Sequence, residues 1–124
     1  MLNPQTTGIA IALLLCACSS VWAQDFPAGA TTPAATELKQ LLGDKVFSVK
    51  VADGSTWRLE YKSSGYMYVD TSGGFRGNGE WKVEDGRLCS HIRGRNPGCN
   101  EVRIHEGVIH LKRDSGEIIK YMPR

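Results

Sequence analysis

Three histidines are the side chains of this sequence that could most directly do chemistry. His91, His105 and His110 could together supply three nitrogen ligands to a zinc ion. Their spacing is weak evidence for such a site, because a two-residue hairpin loop at Glu106 and Gly107 would offset the two flanking histidines from each other. We therefore predict no metal site and interpret the histidines as surface residues.

A hydrolytic site is not indicated either. Ser90 and His91 are neighbours, and neighbours in a strand point to opposite faces, so they cannot form a nucleophile and base pair. The glycines between Gly73 and Gly79 lack the strand-to-helix context of a phosphate-binding loop. The acidic residues fall mostly at turns or outward strand positions, where solvated carboxylates are the ordinary explanation. We predict a non-catalytic protein without a cofactor.

The first 23 residues have the composition of a secretion signal rather than of a folded element. Their apolar run, from Gly8 to Cys18, is shorter than the roughly 20 residues that a membrane-spanning helix needs. The small residue Ala23 favours cleavage before Gln24. We predict a signal peptide over residues 1–23 and no transmembrane segment in the mature chain.

An alternative interpretation of the same segment is a lipid anchor. The sequence Leu15-Cys16-Ala17-Cys18 resembles a bacterial lipobox, in which Cys18 would carry the lipid. In both interpretations the folded part keeps only Cys89 and Cys99, and an even pair of cysteines in an exported chain predicts a disulfide. We expect a periplasmic or secreted protein, with a lipoprotein at the bacterial envelope as the alternative.

Length and charge limit the remaining possibilities. The chain has 124 residues and a formal net charge of +2, which is too small to predict a nucleic-acid partner. Residues 24–32 are small and turn-forming and predict a flexible leader, and residues 33–124 predict a single β domain. A disulfide between Cys89 and Cys99 would close a loop of about ten residues and would add about 3 kcal/mol of stability to this small domain.

One short helix is expected at the start of this domain. Thr32 and Pro33 match an N-cap followed by a proline at the first helical position, and Gly43 is the expected stop. Three leucines lie on one face of this segment: Leu38, Leu41 and Leu42. The helix should cover an open end or a face of a sheet.

From Lys45 onward the apolar residues recur with the period of a β-strand. The clearest part runs from Gly77 to Cys99, where a strand, the Asp85-Gly86 turn, a second strand and a loop follow one another. Turn signals recur at roughly the spacing of 8 to 12 residues that is typical of an all-β sandwich or barrel. We predict an all-β fold: a small antiparallel meander barrel of about eight strands with one short N-terminal helix.

Two groups of side chains are candidates for binding. Tyr66 and Tyr68 share one face of a strand and would form an exposed aromatic pair if Met67 faces the core. Arg93 and Arg95 lie in the loop that the disulfide would close, and Arg76 could lie nearby. Arginine suits bidentate contacts with carboxylates and is enriched at interfaces.

The central motif also resembles a known family. Gly79-x-Trp81-x-Val83-x-Asp85-Gly86-Arg87-Leu88-Cys89, followed by a second cysteine, is similar to a family of small exported bacterial proteins of unknown function. The likeness extends from about Glu37 to the C-terminus. It implies export, a β fold and a disulfide, and it implies no activity.

A second resemblance is to the periplasmic C-type lysozyme inhibitors, which are small β-barrels that often carry a Ser-Gly-x-x-Tyr element. The segment from Ser64 to Tyr68 resembles this element. The lysine-glycine element that should follow is missing, because Val83 succeeds Lys82. An inhibitory role is therefore a hypothesis that this resemblance suggests.

We accordingly expect a non-catalytic binding or inhibitory module that acts on a periplasmic or envelope protein. The first alternative is a small-molecule binder of lipocalin type, with aromatic residues lining a cavity at the barrel mouth. In a barrel of this size we expect side chains to fill the interior. The second alternative is a lipid-anchored structural protein of the envelope.

Overall fold

The computed structural model describes residues 24–124, which form one closed β-barrel. Eight antiparallel strands follow one another around the barrel in chain order, and the last strand pairs with the first. This confirms the predicted all-β meander with a single short helix. The signal peptide and the lipid anchor at Cys18 concern residues outside the described part of the chain.

One helix and eight strands make up the barrel domain. In chain order they are α1 (Ala35–Leu42), β1 (Lys45–Lys50), β2 (Thr56–Tyr61), β3 (Tyr66–Thr71), β4 (Arg76–Glu84), β5 (Arg87–Ile92), β6 (Gly98–His105), β7 (Val108–Lys112) and β8 (Ile118–Pro123). Within residues 24–124, no helix is both long enough and apolar enough to cross a bilayer.

The alternation of the sequence sets which side chains enter the barrel. In β3 the inward Met67 is 3% exposed, whereas its neighbours Tyr66 and Tyr68 are 55% and 45% exposed. Tight turns keep neighbouring strands in register, and Glu106 and Gly107 both take the positive φ of a two-residue hairpin turn, at 50° and 75°. The predicted hairpin at this position is therefore confirmed.

Helix α1 covers one end of the barrel, where it contacts β1 and β4. Leu38 and Leu42 are fully buried, as the apolar face of the helix predicts. The start of the helix differs from our expectation, because the first helical residue is Ala35 and Thr32 is not the cap. The carboxylate of Asp85, in the turn between β4 and β5, accepts the amide hydrogen of Ala35 at 2.8 Å instead.

The segment before the helix lies along the barrel rather than forming a free leader. Thr31 and Ile104 exchange two backbone hydrogen bonds, with N···O distances of 2.8 and 2.9 Å. The backbone of Ile104 is free to do so because the pairing of β5 with β6 stops at Arg87 and Glu101. Gln24 also binds the barrel, since its amide donates to the carbonyl of Gly116 at 3.0 Å. Backbone groups that the sheet leaves unpaired thus hold this segment.

Candidate functional site

A cavity of about 450 Å³ opens to solvent at the end of the barrel remote from α1. Most of the side chains that line it are apolar or aromatic: Trp57, Leu59, Tyr61, Met67, Val69, Phe75, Leu88, Ile92, Leu111, Ile119 and Tyr121. The expectation that side chains fill the whole interior was therefore wrong.

The two ends of the barrel interior differ in the side chains that they contain. Near α1 the rings of Phe47, Tyr61, Trp81 and Tyr121 pack together, with the centroids of Tyr61 and Trp81 5.3 Å apart. Toward the other end the lining includes smaller polar side chains, Thr71, Ser90 and Asn100. The aromatic cluster beside α1 thus forms the floor of the cavity, to which it contributes Tyr61 and Tyr121.

Two tyrosines in the cavity wall are joined by a hydrogen bond. The hydroxyl oxygens of Tyr61 and Tyr121 are 2.9 Å apart, and the two side chains are 1% and 4% exposed. Burial raises the pKa of Tyr121 to about 12 and that of Tyr61 well above its ordinary value. Both hydroxyls are therefore protonated at physiological pH and offer neutral polar groups rather than a phenolate.

Two arginines lie at the mouth of the cavity, and each stacks on an aromatic ring. The guanidinium of Arg95 lies 4.1 Å from the ring centroid of Phe75, and that of Arg113 lies 4.8 Å from the centroid of Trp57. Arg113 also pairs with Glu117 at 2.6 Å. These contacts join the loop of Arg95 to the connection before β4 and the turn of Arg113 to β2, and they hold both cations beside the cavity opening.

A polar contact completes the rim. The side-chain amide of Asn100 donates to the carboxylate of Asp114 and to the carbonyl of Lys112, each at 3.1 Å. Asp114 is the single carboxylate among the lining residues, against the two guanidinium groups of Arg95 and Arg113. The formal charge of the lining is therefore positive.

The loop that carries Arg95 is fixed at several points. The predicted disulfide between Cys89 and Cys99 is present and joins directly paired positions of β5 and β6. Within the loop, the amide of Arg95 donates to the carbonyl of Ile92 at 3.0 Å, and that of Arg93 donates to the carbonyl of Asn78 at 2.9 Å. The disulfide thus pins the base of the loop, as the sequence suggested.

The predicted binding residues do not converge on one place. Tyr66 and Tyr68 lie together on the outer face of β3, as expected for an exposed aromatic pair. Arg76 is on β4, largely exposed and 3.5 Å from the carboxylate of Asp70. Of the two loop arginines, Arg95 lines the cavity and Arg93 does not.

Sequence reasoning missed Arg113 and Asn100 as rim residues. A signal for them was present, because in a meander every second turn lies at the same end of the barrel. Four connections share the open end: residues 51–55, 72–75, 93–97 and 113–117. Counting turns would have placed the loop of Arg95 and the turn of Arg113 at one end.

The three histidines do not form a metal centre. The rings of His105 and His110 are 5.9 Å apart, while His91 lies on the exposed face of β5. His110 is only 3% exposed, not a surface residue, and its Nδ1 donates to the carbonyl of Val108 at 3.0 Å. Among residues 24–124, the one cluster with ligand spacing contains Cys89 and Cys99, whose sulfurs are joined to each other.

Comparison with known proteins gives no match: no family model, no curated protein and no solved structure corresponds to this chain. The two family resemblances of the sequence therefore stay predictions.

Proposed function

We propose that the protein is an exported binding protein that holds a small, largely apolar molecule in the barrel cavity. The observation that carries this proposal is the cavity of about 450 Å³, which has an aromatic floor and a mouth at the end opposite α1. Binding pockets for small molecules commonly measure about 300 to 1,000 Å³ and are lined mainly by apolar side chains with a few polar groups.

The distribution of polar groups supports the same proposal. Eleven of the eighteen lining side chains are apolar or aromatic, so an apolar molecule would exchange water contacts for contacts with Leu59, Leu111 and Ile119. The other lining residues are polar or charged: Thr71, Ser90, Arg95, Asn100, Arg113, Asp114 and Ser115. Such an arrangement suits a ligand with an apolar body and a polar end.

Export is part of the proposal and rests on two features. The apolar run of residues 8–18 has the length of a signal segment, and the disulfide between Cys89 and Cys99 is typical of an oxidising compartment. We place the protein in the periplasm or outside the cell. Mass spectrometry of the mature protein would test this, since the proposal expects an N-terminus at Gln24 or a lipidated Cys18.

The binding proposal can be tested with N-phenyl-1-naphthylamine, a neutral fluorophore that brightens in apolar surroundings. We expect saturable binding to the wild-type protein and an affinity lower by about tenfold or more in Val69→Phe, because the larger ring enters the cavity. Asn78→Phe adds the same ring at an exposed site on β4 and is the matched control.

If both variants bind the fluorophore as tightly as the wild type does, the cavity is not its binding site. Circular dichroism of each variant must first show that the barrel is intact. Absence of saturable binding to the intact wild-type protein would also count against a small-molecule role.

A second candidate function is a binding or inhibitory module for a protein partner. The exposure of Tyr66 and Tyr68, two neighbouring tyrosines on the outer face of β3, favours it. Aromatic side chains of this kind are frequent anchors of interfaces. In this candidate function, Arg76 and Arg93 would contribute positive charge to the interface.

This candidate is tested by affinity capture with the oxidised mature protein, using periplasmic extract and added lysozyme. A partner at equal stoichiometry, lost in Tyr66→Ala/Tyr68→Ala and retained in Val69→Phe, would support an external interface. Retention of the partner by the double alanine variant would exclude the tyrosines as its anchor.

A further inference from the structure

The charge at the cavity mouth suggests which chemical class of ligand the barrel takes. Among residues 24–124, Arg95 has no carboxylate within salt-bridge distance, whereas five other cationic side chains have one: Arg58, Lys62, Arg76, Arg87 and Arg113. Its guanidinium nevertheless has a defined place, because it stacks on Phe75 and lines the cavity. A positioned guanidinium without an anion is suited to bind one from outside the chain.

The second arginine of the rim is only partly engaged. Arg113 donates to Glu117 through one nitrogen, Nη1, at 2.6 Å, and a guanidinium has five N–H donors. Its stacking on Trp57 keeps it at the cavity wall. The carboxylate of Asp114 accepts a hydrogen bond from the amide of Asn100 at 3.1 Å. The cation of the rim without a paired carboxylate is therefore Arg95, and Arg113 adds the N–H donors that Glu117 leaves unused.

We propose that the ligand is an amphipathic anion, whose apolar part occupies the barrel and whose single terminal anionic group is bound by Arg95 at the mouth. This inference rests on the proposed function and specifies its ligand. An apolar body fits the leucine, isoleucine and aromatic walls, and the anionic group remains at the rim, where it keeps part of its hydration. A carboxylate and a phosphate monoester share this chemistry, and both would accept hydrogen bonds from the guanidinium.

The test compares ligands with one chain length and different head groups. Displacement of N-phenyl-1-naphthylamine is measured with dodecanoate, dodecyl phosphate, dodecanol and dodecyltrimethylammonium, each below its micelle concentration. We expect either anion to bind at least about tenfold more tightly than dodecanol, and the cation to bind most weakly. Whichever of the two anions binds more tightly identifies the preferred head group.

Arg95→Gln should abolish this preference by lowering the affinity for the anion about tenfold while leaving that for dodecanol unchanged. Arg95→Lys should retain part of the preference, since it keeps the charge but not the planar donors. Arg93→Gln is the matched control, because Arg93 lies two residues away and does not line the cavity. Raising the salt concentration should weaken the binding of the anion and not that of dodecanol.

The possible failures are distinguishable. If dodecanol and the anions bind equally well, and Val69→Phe weakens both, the cavity function stands and the inference about the anion is overturned. Loss of the preference in Arg93→Gln and its retention in Arg95→Gln would also overturn it. If none of the four ligands displaces a fluorophore whose binding is weakened by Val69→Phe, the inference about the anion fails and the cavity function stands; if the fluorophore itself does not bind saturably to the intact barrel, both proposals fail.

Discussion

The hydroxyl oxygens of Tyr61 and Tyr121 lie 2.9 Å apart inside the barrel, although 60 residues separate them in the chain. One hydroxyl donates to the other, so this bond uses one of the two protons. Among the hydrogen bonds of residues 24–124, neither hydroxyl takes part in a second one. The pair therefore keeps one donor at the wall of the cavity.

Removing one of the two hydroxyls should lower the free energy of unfolding by more than half of the loss that removing both causes. Tyr61→Phe or Tyr121→Phe leaves its partner buried without that bond, and we expect a loss of about 1 to 3 kcal/mol in the free energy of unfolding. The double variant should lose less than the sum of the two single losses. Urea denaturation of the four proteins measures this coupling. Tyr66→Phe, at an exposed position, should change the stability little, and strictly additive losses would contradict the coupling.

The same pair should make the barrel sensitive to alkaline pH. Burial raises the pKa of Tyr121 from 10.0 to about 12, and it raises that of Tyr61 as well. Between these values the unfolded chain releases protons that the folded chain retains, so stability is complete below pH 10 and falls as the pH rises toward 12. The urea midpoint should therefore decline over this range. The decline should be shallower in Tyr61→Phe/Tyr121→Phe; an equally steep decline would assign the effect to other groups.

The contact between Asp85 and the first turn of α1 should stabilise the helix at the barrel end. Its carboxylate accepts the amide hydrogen of Ala35 at 2.8 Å, and the N-cap residue Ala34 offers no side-chain acceptor. We expect Asp85→Ala to lower the free energy of unfolding by about 1 kcal/mol. Asp85→Asn keeps an acceptor oxygen and should lose less. Thermal denaturation followed by circular dichroism compares them, and equal losses in both variants would argue against a capping role.

Gly79 should tolerate no side chain. A Cβ atom there would lie 2.0 Å from the carbonyl oxygen of His91, which belongs to the backbone of the neighbouring strand β5. We expect Gly79→Ala to destabilise the barrel by about 3 kcal/mol or to prevent folding. Gly98→Ala is the control, because a Cβ at Gly98 has no atom within 4 Å and its φ is not positive. Soluble yield and denaturant midpoints provide the comparison, and a stable Gly79→Ala protein would refute the expectation.

Much of the fold was predictable because the signals are local. The alternation of Met67 with Tyr66 and Tyr68 identifies the inward face of β3, and the turn at Glu106 and Gly107 sets the pairing of β6 with β7. Consecutive hairpins then predict the strand order. The start of α1 was misplaced, because its capping group comes from Asp85, which is 50 residues away in the chain.

The candidate site was predictable only in part. Cys89 and Cys99 could be paired by counting, and the loop containing Arg95 could be identified from its turn residues. The stacking of Arg113 on Trp57 could not, because β8 and β1 separate them and meet only when the barrel closes. The stacking of Arg95 on Phe75 could not either, because it depends on how two loops fold back over the barrel end.

By itself the sequence determined the strand alternation, the meander order and the disulfide, since each depends on residue types at short spacing or on a count of cysteines. The tertiary structure alone decided that the barrel has a cavity, because its volume depends on how side chains from all parts of the sheet share the interior. It also decided that Arg95 and Arg113 lie at the mouth of that cavity. Strand curvature and closure set these positions, and neither is a property of any single segment.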